Sequence, residues 1–254
     1  MSAVVQSLKA VRREIANLVK NKNITHSVNL VAVSKTKPND LLQACYEDGQ
    51  RHFGENYVKE ICDKAKELPR DILWHFIGNL QSNKVKQLIT GVPHLYMVET
   101  VDREKIADAL DKAITEVDRE GRGPLKVLVQ VNTSGEENKS GVDPDGLVNL
   151  VKHVRENCPN LQFSGLMTIG SVESSKSADS EHDQPDFRKL VECRKTVCKE
   201  LKIEEAELEL SMGMSSDYLI AVSYIIVFSV SNNIIKIELG STNVRVGSTI
   251  FGSR

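Results

Sequence analysis

Strand-like and helix-like segments alternate eight times along this chain, and that alternation limits the fold more than any other feature. The apolar runs fall at 28–33, 51–54, 73–78, 95–101, 125–132, 163–169, 207–212 and 242–246. Between them lie segments with apolar residues at helical spacing, such as Ile106, Leu110, Ile114 and Val117, or Leu147, Leu150, Val151 and Val154. Runs that are apolar throughout, rather than alternating, suit strands covered on both faces, as in a parallel sheet. Eight such units in 254 residues are the pattern of an α/β (β/α)8 TIM barrel forming a single domain over 1–254. Val4, Leu8, Val11, Ile15 and Leu18 predict an amphipathic helix ahead of the barrel, within residues 1–27. The helices are expected over 38–49, 55–68, 80–89, 102–117, 143–157 and 187–201. Thr36 or its neighbours are the expected cap of the 38–49 helix, and Asp102 that of the helix after the fourth strand. Residues 171–186 are too polar to pack and read as a mobile loop.

Composition excludes several function classes. A net charge of −2 gives no bulk attraction to nucleic acid or an anionic membrane. No apolar run reaches the ~18 residues of a membrane span, and no signal core is visible at the N-terminus. The five cysteines lack C-x-x-C pairing and read as reduced thiols, which with the missing signal points to the cytoplasm. The six histidines show no metal-ligand spacing with carboxylates or thiols, so no metal is expected.

A barrel collects its chemistry just after the C-terminal ends of its strands. Here those positions hold Lys35, Asn56, Asn79, Asn132, Gly170, the run Gly213-Met214-Ser215, and the run Gly247-Ser248-Thr249. A lysine there forms a Schiff base when its surroundings favour the neutral amine. Small hydroxylated residues after the last two strands suit a phosphate. Lys35 opposite such a cradle suits a phosphorylated aldehyde, with Arg245 available to a ring nitrogen and Asn56 and His75 as polar neighbours. Lys35 and Lys37 also read as solvated loop lysines, and the two glycine-serine runs as plain turns.

Several blocks are more specific. V-A-V-S-K-T-K-P (31–38), H-F-G-E-N-Y-V (52–58), W-H-F-I-G-N-L-Q-S-N-K (74–84), V-N-T-S-G-E (131–136), G-L-M-T-I-G (165–170), E-L-S-M-G-M-S (209–215) and G-S-T-N-V-R-V-G-S-T-I-F-G (240–252) resemble the pyridoxal phosphate homeostasis protein family. Its members look like the barrel of alanine racemase and other fold-type III enzymes, without their second domain. The resemblance implies that Lys35 carries pyridoxal 5'-phosphate as a Schiff base. It implies Arg245 at the pyridine nitrogen, and Ser215, Gly247, Ser248 and Thr249 at the phosphate. Asn56, His75, Met167, Ser211, Met212 and Gly213 complete the expected cofactor-binding set. An arginine at the ring nitrogen disfavours its protonation and weakens the cofactor as an electron sink. The implied role is intracellular vitamin B6 homeostasis without turnover, with pyridoxal-phosphate-dependent apo-enzymes as recipients and a monomer or weak dimer as the assembly. The alternatives are an amino-acid racemase of the same fold, with Tyr57 the nearest second base, and a Schiff-base aldolase acting on a sugar phosphate.

One segment departs from that resemblance. Ser215 and Arg245 stand about twice as far apart as the family pattern has them. L-I-A-V-S-Y-I-I-V-F-S-V-S-N-N-I-I-K lies between them, rich in β-branched residues and nearly free of charge. Its composition favours strand and matches an aggregation-prone segment. Residues 219–233 read as an insertion between the seventh and eighth strands. It is either a surface loop or a splicing or gene-model change that removes the seventh barrel helix.

Overall fold

The computed structural model describes residues 2–119, 121–136, 139–170, 184–223, 225–230, 233–238 and 240–252. Eight parallel strands close into a barrel: β1 (Asn29–Val33), β2 (His52–Glu55), β3 (Leu73–Phe76), β4 (Met97–Val101), β5 (Leu125–Gln130), β6 (Leu161–Met167), β7 (Glu209–Ser211) and, last in the ring, β10 (Asn243–Val246). β10 pairs with both β1 and β7, which closes the cylinder. The expected (β/α)8 barrel is the fold.

Helices α2 (Asn39–Glu47), α3 (Val58–Glu67), α4 (Ser82–Gly91), α5 (Glu104–Ile114), α6 (Pro144–Asn157) and α7 (Pro185–Leu201) cover the outside, with α1 (Ala3–Asn21) before the first strand. Each buries the apolar stripe its sequence prescribes. Val4, Leu8, Val11 and Ile15 of α1, and Ile106, Leu110 and Ile114 of α5, are all buried. One large cluster between helices and strands includes Phe53, Trp74, Phe76, Val98 and Val127. Inside the barrel the apolar cluster is small, with Met97, Leu128 and Met167 at its centre. Buried polar side chains lie beside it, among them His75, Glu99, Ser211, Asn243 and Arg245.

Several boundaries differ from expectation for local reasons. α3 begins at Val58 rather than 55, because Glu55 still belongs to β2 and is fully buried. Neither Thr36 nor Asp102 caps a helix: the cap positions are Pro38 and Arg103, neither of which makes a side-chain capping bond, and Asp102 pairs with Arg103 instead. β7 is short because Glu205–Glu207 forms a 3-10 turn ahead of it. Of the expected 171–186 loop, 171–183 lies outside the described residues. Pro185 and Asp186 already belong to α7, with Asp186 buried and accepting from Thr133 Oγ1.

The seventh barrel helix is shortened, not removed. α8 (Tyr218–Val222) occupies its place and buries Tyr218, Ala221 and Val222. The strand-favouring run then forms an antiparallel hairpin, β8 (Ile225–Val230) with β9 (Asn233–Glu238), a two-stranded sheet apart from the barrel. The first four residues of the expected 219–233 insertion therefore belong to the helix. A last short helix, α9 (Ser248–Phe251), follows β10 and packs on α1.

Candidate functional site

At the C-terminal end of the barrel lies a cavity of about 580 Å³. Lys35 reaches it from the turn after β1, Asn56 from the turn after β2, and Met167 from the end of β6. Ser215 comes from the turn after β7, Arg245 from β10, and Gly247, Ser248 and Thr249 from the turn into α9. These eight expected residues share one lining. Met214, from the run expected after the seventh strand, lines it too, as do Val33, Ile77, Ile169 and Ser216, which were not foreseen. Val33 ends strand β1 and Ile77 directly follows β3, an apolar signal the alternation contained, while Ile169 stands half exposed at the rim.

His75, Ser211, Met212 and Gly213 do not line the cavity. His75 and Ser211 are buried deeper, in the lumen, bonded to Glu99. Met212 packs in the outer cluster under the helices, and Gly213 lies behind it at the turn, accepting from Arg245 N at 3.1 Å. Tyr57 is half exposed and also stands outside the lining.

The Lys35 turn is held on both sides. Ser34 Oγ donates to Glu55 Oε1 at 2.7 Å, and its carbonyl accepts from Lys64 Nζ at 2.7 Å. On the other side, Thr36 N donates to Glu60 Oε1 at 2.6 Å. Thr36 has φ +63, a costly left-handed conformation for a β-branched residue. Burial raises the Glu55 carboxyl above its usual range, against the opposing pull of Lys64.

Across the cavity, Gly247 N donates to Ser215 Oγ at 3.0 Å and Thr249 Oγ1 to the Ser215 carbonyl at 3.4 Å. The two turns thus meet although the hairpin separates them in sequence. Arg245 is almost fully buried at the floor. Burial pulls its guanidinium below its usual pKa while Glu99 and Asp217 oppose that. Asn56 sits where Gly78 permits it: a Cβ on Gly78 would lie 2.0 Å from the Asn56 carbonyl. The buried Oδ1 of Asn56 has no hydrogen-bond partner among the described residues, an acceptor left for a ligand.

Ligand-type atoms of Asp108, His153 and Cys158 come within 4.8 Å of one another, a grouping that sequence spacing did not reveal because it joins two helices. His153 Nε2 already pairs with Asp108 at 2.6 Å. Burial and neighbouring carboxylates push the Cys158 thiol up to about 12. We read it as a His153–Asp108 hydrogen bond beside a protonated thiol. All five cysteines are free and buried. Among the described residues, no helix is long and apolar enough to cross a membrane.

The family model of the alanine racemase N-terminal domain matches residues 7–254. Pyridoxal phosphate homeostasis proteins are 43% identical in Caenorhabditis elegans, over 99% of this chain and 96% of that protein, and 44% in Schizosaccharomyces pombe, over 100% and 94%. The chain belongs to the pyridoxal phosphate homeostasis protein family. The human family member is 47% identical over 89% of this chain and 76% of its own length. PipY of Synechococcus elongatus PCC7942, solved with PLP bound, superposes with a TM-score of 0.73 at 29% identity, over 98% of this chain and all of that one. Alanine racemase from Corynebacterium glutamicum, at 13% identity and a TM-score of 0.61, shares the fold over 99% of this chain and 61% of the racemase.

Proposed function

We propose that this chain binds pyridoxal 5'-phosphate in the cavity after the barrel strands and serves intracellular handling of that cofactor without a turnover reaction. The observation behind this reading is the convergence of one lysine, one buried arginine and a group of hydroxyls on a single cavity. The donor set fits the cofactor: an amine for its aldehyde, hydroxyls and backbone for its phosphate, a guanidinium for its ring nitrogen, and an unsatisfied Asn56 acceptor. The names of the relatives and the PLP-bound PipY support the same assignment.

When bound, the cofactor supplies an aldehyde carbon to which a lysine amine adds covalently with loss of water. Lys35 is the group that holds it. Ser215, Ser248 and Thr249 orient the phosphate end, with Gly247 keeping its backbone close. Val33, Ile77 and Met167 supply the apolar wall and exclude water beside the ring. Arg245 brings a donor, not an acceptor, to the ring nitrogen, which disfavours a proton there and keeps the bound group a poor electron sink.

A racemase needs a base on each face of the substrate α-carbon. Lys35 supplies one; Tyr57, the other expected base, stands outside the cavity lining. Reconstituted protein incubated with L-alanine or L-serine is the test. The reading expects uptake of pyridoxal phosphate and no steady-state D-amino acid. Turnover on the ordinary scale of ~1–10³ per second, lost in Lys35→Ala, would assign the chain to the enzymes instead.

A further inference from the structure

The barrel lumen holds a line of polar side chains that the cavity does not explain. Glu99, on β4, is fully buried, yet both its oxygens are engaged. Ser211 Oγ donates to Oε2 at 2.6 Å, Asn243 Nδ2 donates to Oε1 at 3.2 Å, and His75 Nδ1 lies 2.6 Å from Oε1. On the cavity side, Arg245 Nη1 donates to Ser211 Oγ and stands 3.8 Å from Glu99 Oε2, while Nη2 donates to the Thr168 carbonyl at 2.6 Å. Both terminal nitrogens of the guanidinium are therefore held by groups outside the cavity lining.

Donor and acceptor identities set the direction of this line. Arginine only donates and an ionised glutamate only accepts, so the Ser211 hydroxyl accepts from Arg245 and donates to Glu99. His75 Nδ1 then carries its proton toward Glu99, and Nε2 meets His52 Nδ1 at 2.9 Å. Burial pushes the Glu99 carboxyl up, but the bond and charge of His75, the charge of Arg245 and the Ser211 bond prevail and hold it below its usual value. His52 begins β2, so the line ends at the N-terminal face of the barrel. Tyr96 packs on His52 there, and Lys126 Nζ donates to the Tyr96 hydroxyl at 3.0 Å. Barrels ordinarily fill this lumen with branched aliphatics, and a buried charge pair is a poor source of stability.

We propose that Glu99, acting through Ser211 and braced by His75, is a positioning residue for Arg245: it fixes the orientation of the guanidinium at the cavity floor. The inference rests on the reading of the cavity as a pyridoxal phosphate site. The charged and titratable groups around the pair are His75 from β3, Asp217 from the turn after β7, and His52, Lys126 and Glu209 toward the opposite face.

Glu99→Gln removes the charge and keeps the shape, and Ser211→Ala removes the bridge and keeps the charge. Each is titrated with pyridoxal phosphate, and the absorbance of the bound cofactor is followed against pH. We expect affinity to fall about tenfold, as for lost outer partners of a binding group, with a displaced absorbance band and a displaced pH dependence. A lower melting temperature with affinity, band and pH dependence unchanged would make Glu99 merely structural and overturn the proposal. If Glu99→Gln does not fold, Ser211→Ala decides. Crystal structures of the cofactor-free variants read Arg245 directly: a guanidinium displaced from Thr168 supports the proposal, and one unmoved overturns it. A wild-type protein that takes up no pyridoxal phosphate sinks the functional reading, and the crystallographic arm still decides this one.

Discussion

Lys64 Nζ donates to the carbonyl of Ser34 at 2.7 Å, one residue before the lysine that lines the cavity. The same ammonium lies 2.7 Å from Glu55 Oε1 and 2.6 Å from Glu60 Oε1, and Glu60 in turn holds Thr36 N. Lys35 is thus presented from a turn whose two neighbouring residues are fastened to one buried charge cluster. Preorganisation of this kind lowers the ordering cost of binding.

Lys64→Met leaves Glu55 buried without its cation. Loss of one partner of a buried pair costs about 3–5 kcal/mol, and urea unfolding should show a loss of that order. Glu55→Gln combined with Lys64→Met should recover part of it, because the stranded charge is gone. Pyridoxal phosphate affinity should fall in the single variant through the loosened Lys35 turn. Unchanged stability in Lys64→Met would mean the cluster does not fasten the turn.

His52 gives the stability a pH dependence. Burial first, and the charge of His75 second, lower its pKa from 6.5 to about 4. The unfolded chain therefore binds a proton between those values that the folded chain refuses. The contribution is fully present above pH 6.5 and is lost as pH falls toward 4, on the order of 3 kcal/mol at most. His52→Gln should flatten the thermal-midpoint profile across that window. A variant whose profile overlays the wild type there would remove His52 as the cause.

The seven long helices and eight barrel strands were legible because each buries a continuous apolar face, and burial is what the pattern encodes. The lumen was not. In a strand apolar on both sides, sequence does not say which residues point inward, so His75 and Ser211 read as cavity groups when they stand beneath it. Glu99, the single charge in M-V-E-T-V, and Lys64 on an ordinary charged helix face carried the missing signal. A glutamate inside an otherwise apolar strand was the visible clue. The apolar segment after α8 was readable as strand, but its start was not, since Ala221 and Val222 suit helix and strand alike.

That start decides how the hairpin behaves when removed. Removing 219–233 would cut α8 and strip β9 of its partner, and should lower soluble yield. Removing 224–239 leaves Ser223 and Gly240 to be joined. Those ends are close: a Cβ on Gly240 would lie 2.1 Å from the Val222 carbonyl, and Ser241 N donates to Ala221 O at 2.7 Å. This second deletion should fold, bind pyridoxal phosphate and raise soluble yield, since it removes a strand-rich segment with open sheet edges. Insoluble protein from the second deletion would show that the barrel depends on the hairpin.

The central claim is that Lys35 holds the cofactor, and borohydride reduction followed by peptide mapping tests it most directly. Purified protein is saturated with pyridoxal phosphate, reduced, digested and analysed by mass spectrometry. The account predicts one phosphopyridoxyl group per chain, on the peptide containing Lys35, and none in Lys35→Ala. No uptake, or a modification on another lysine that persists in Lys35→Ala, would contradict it.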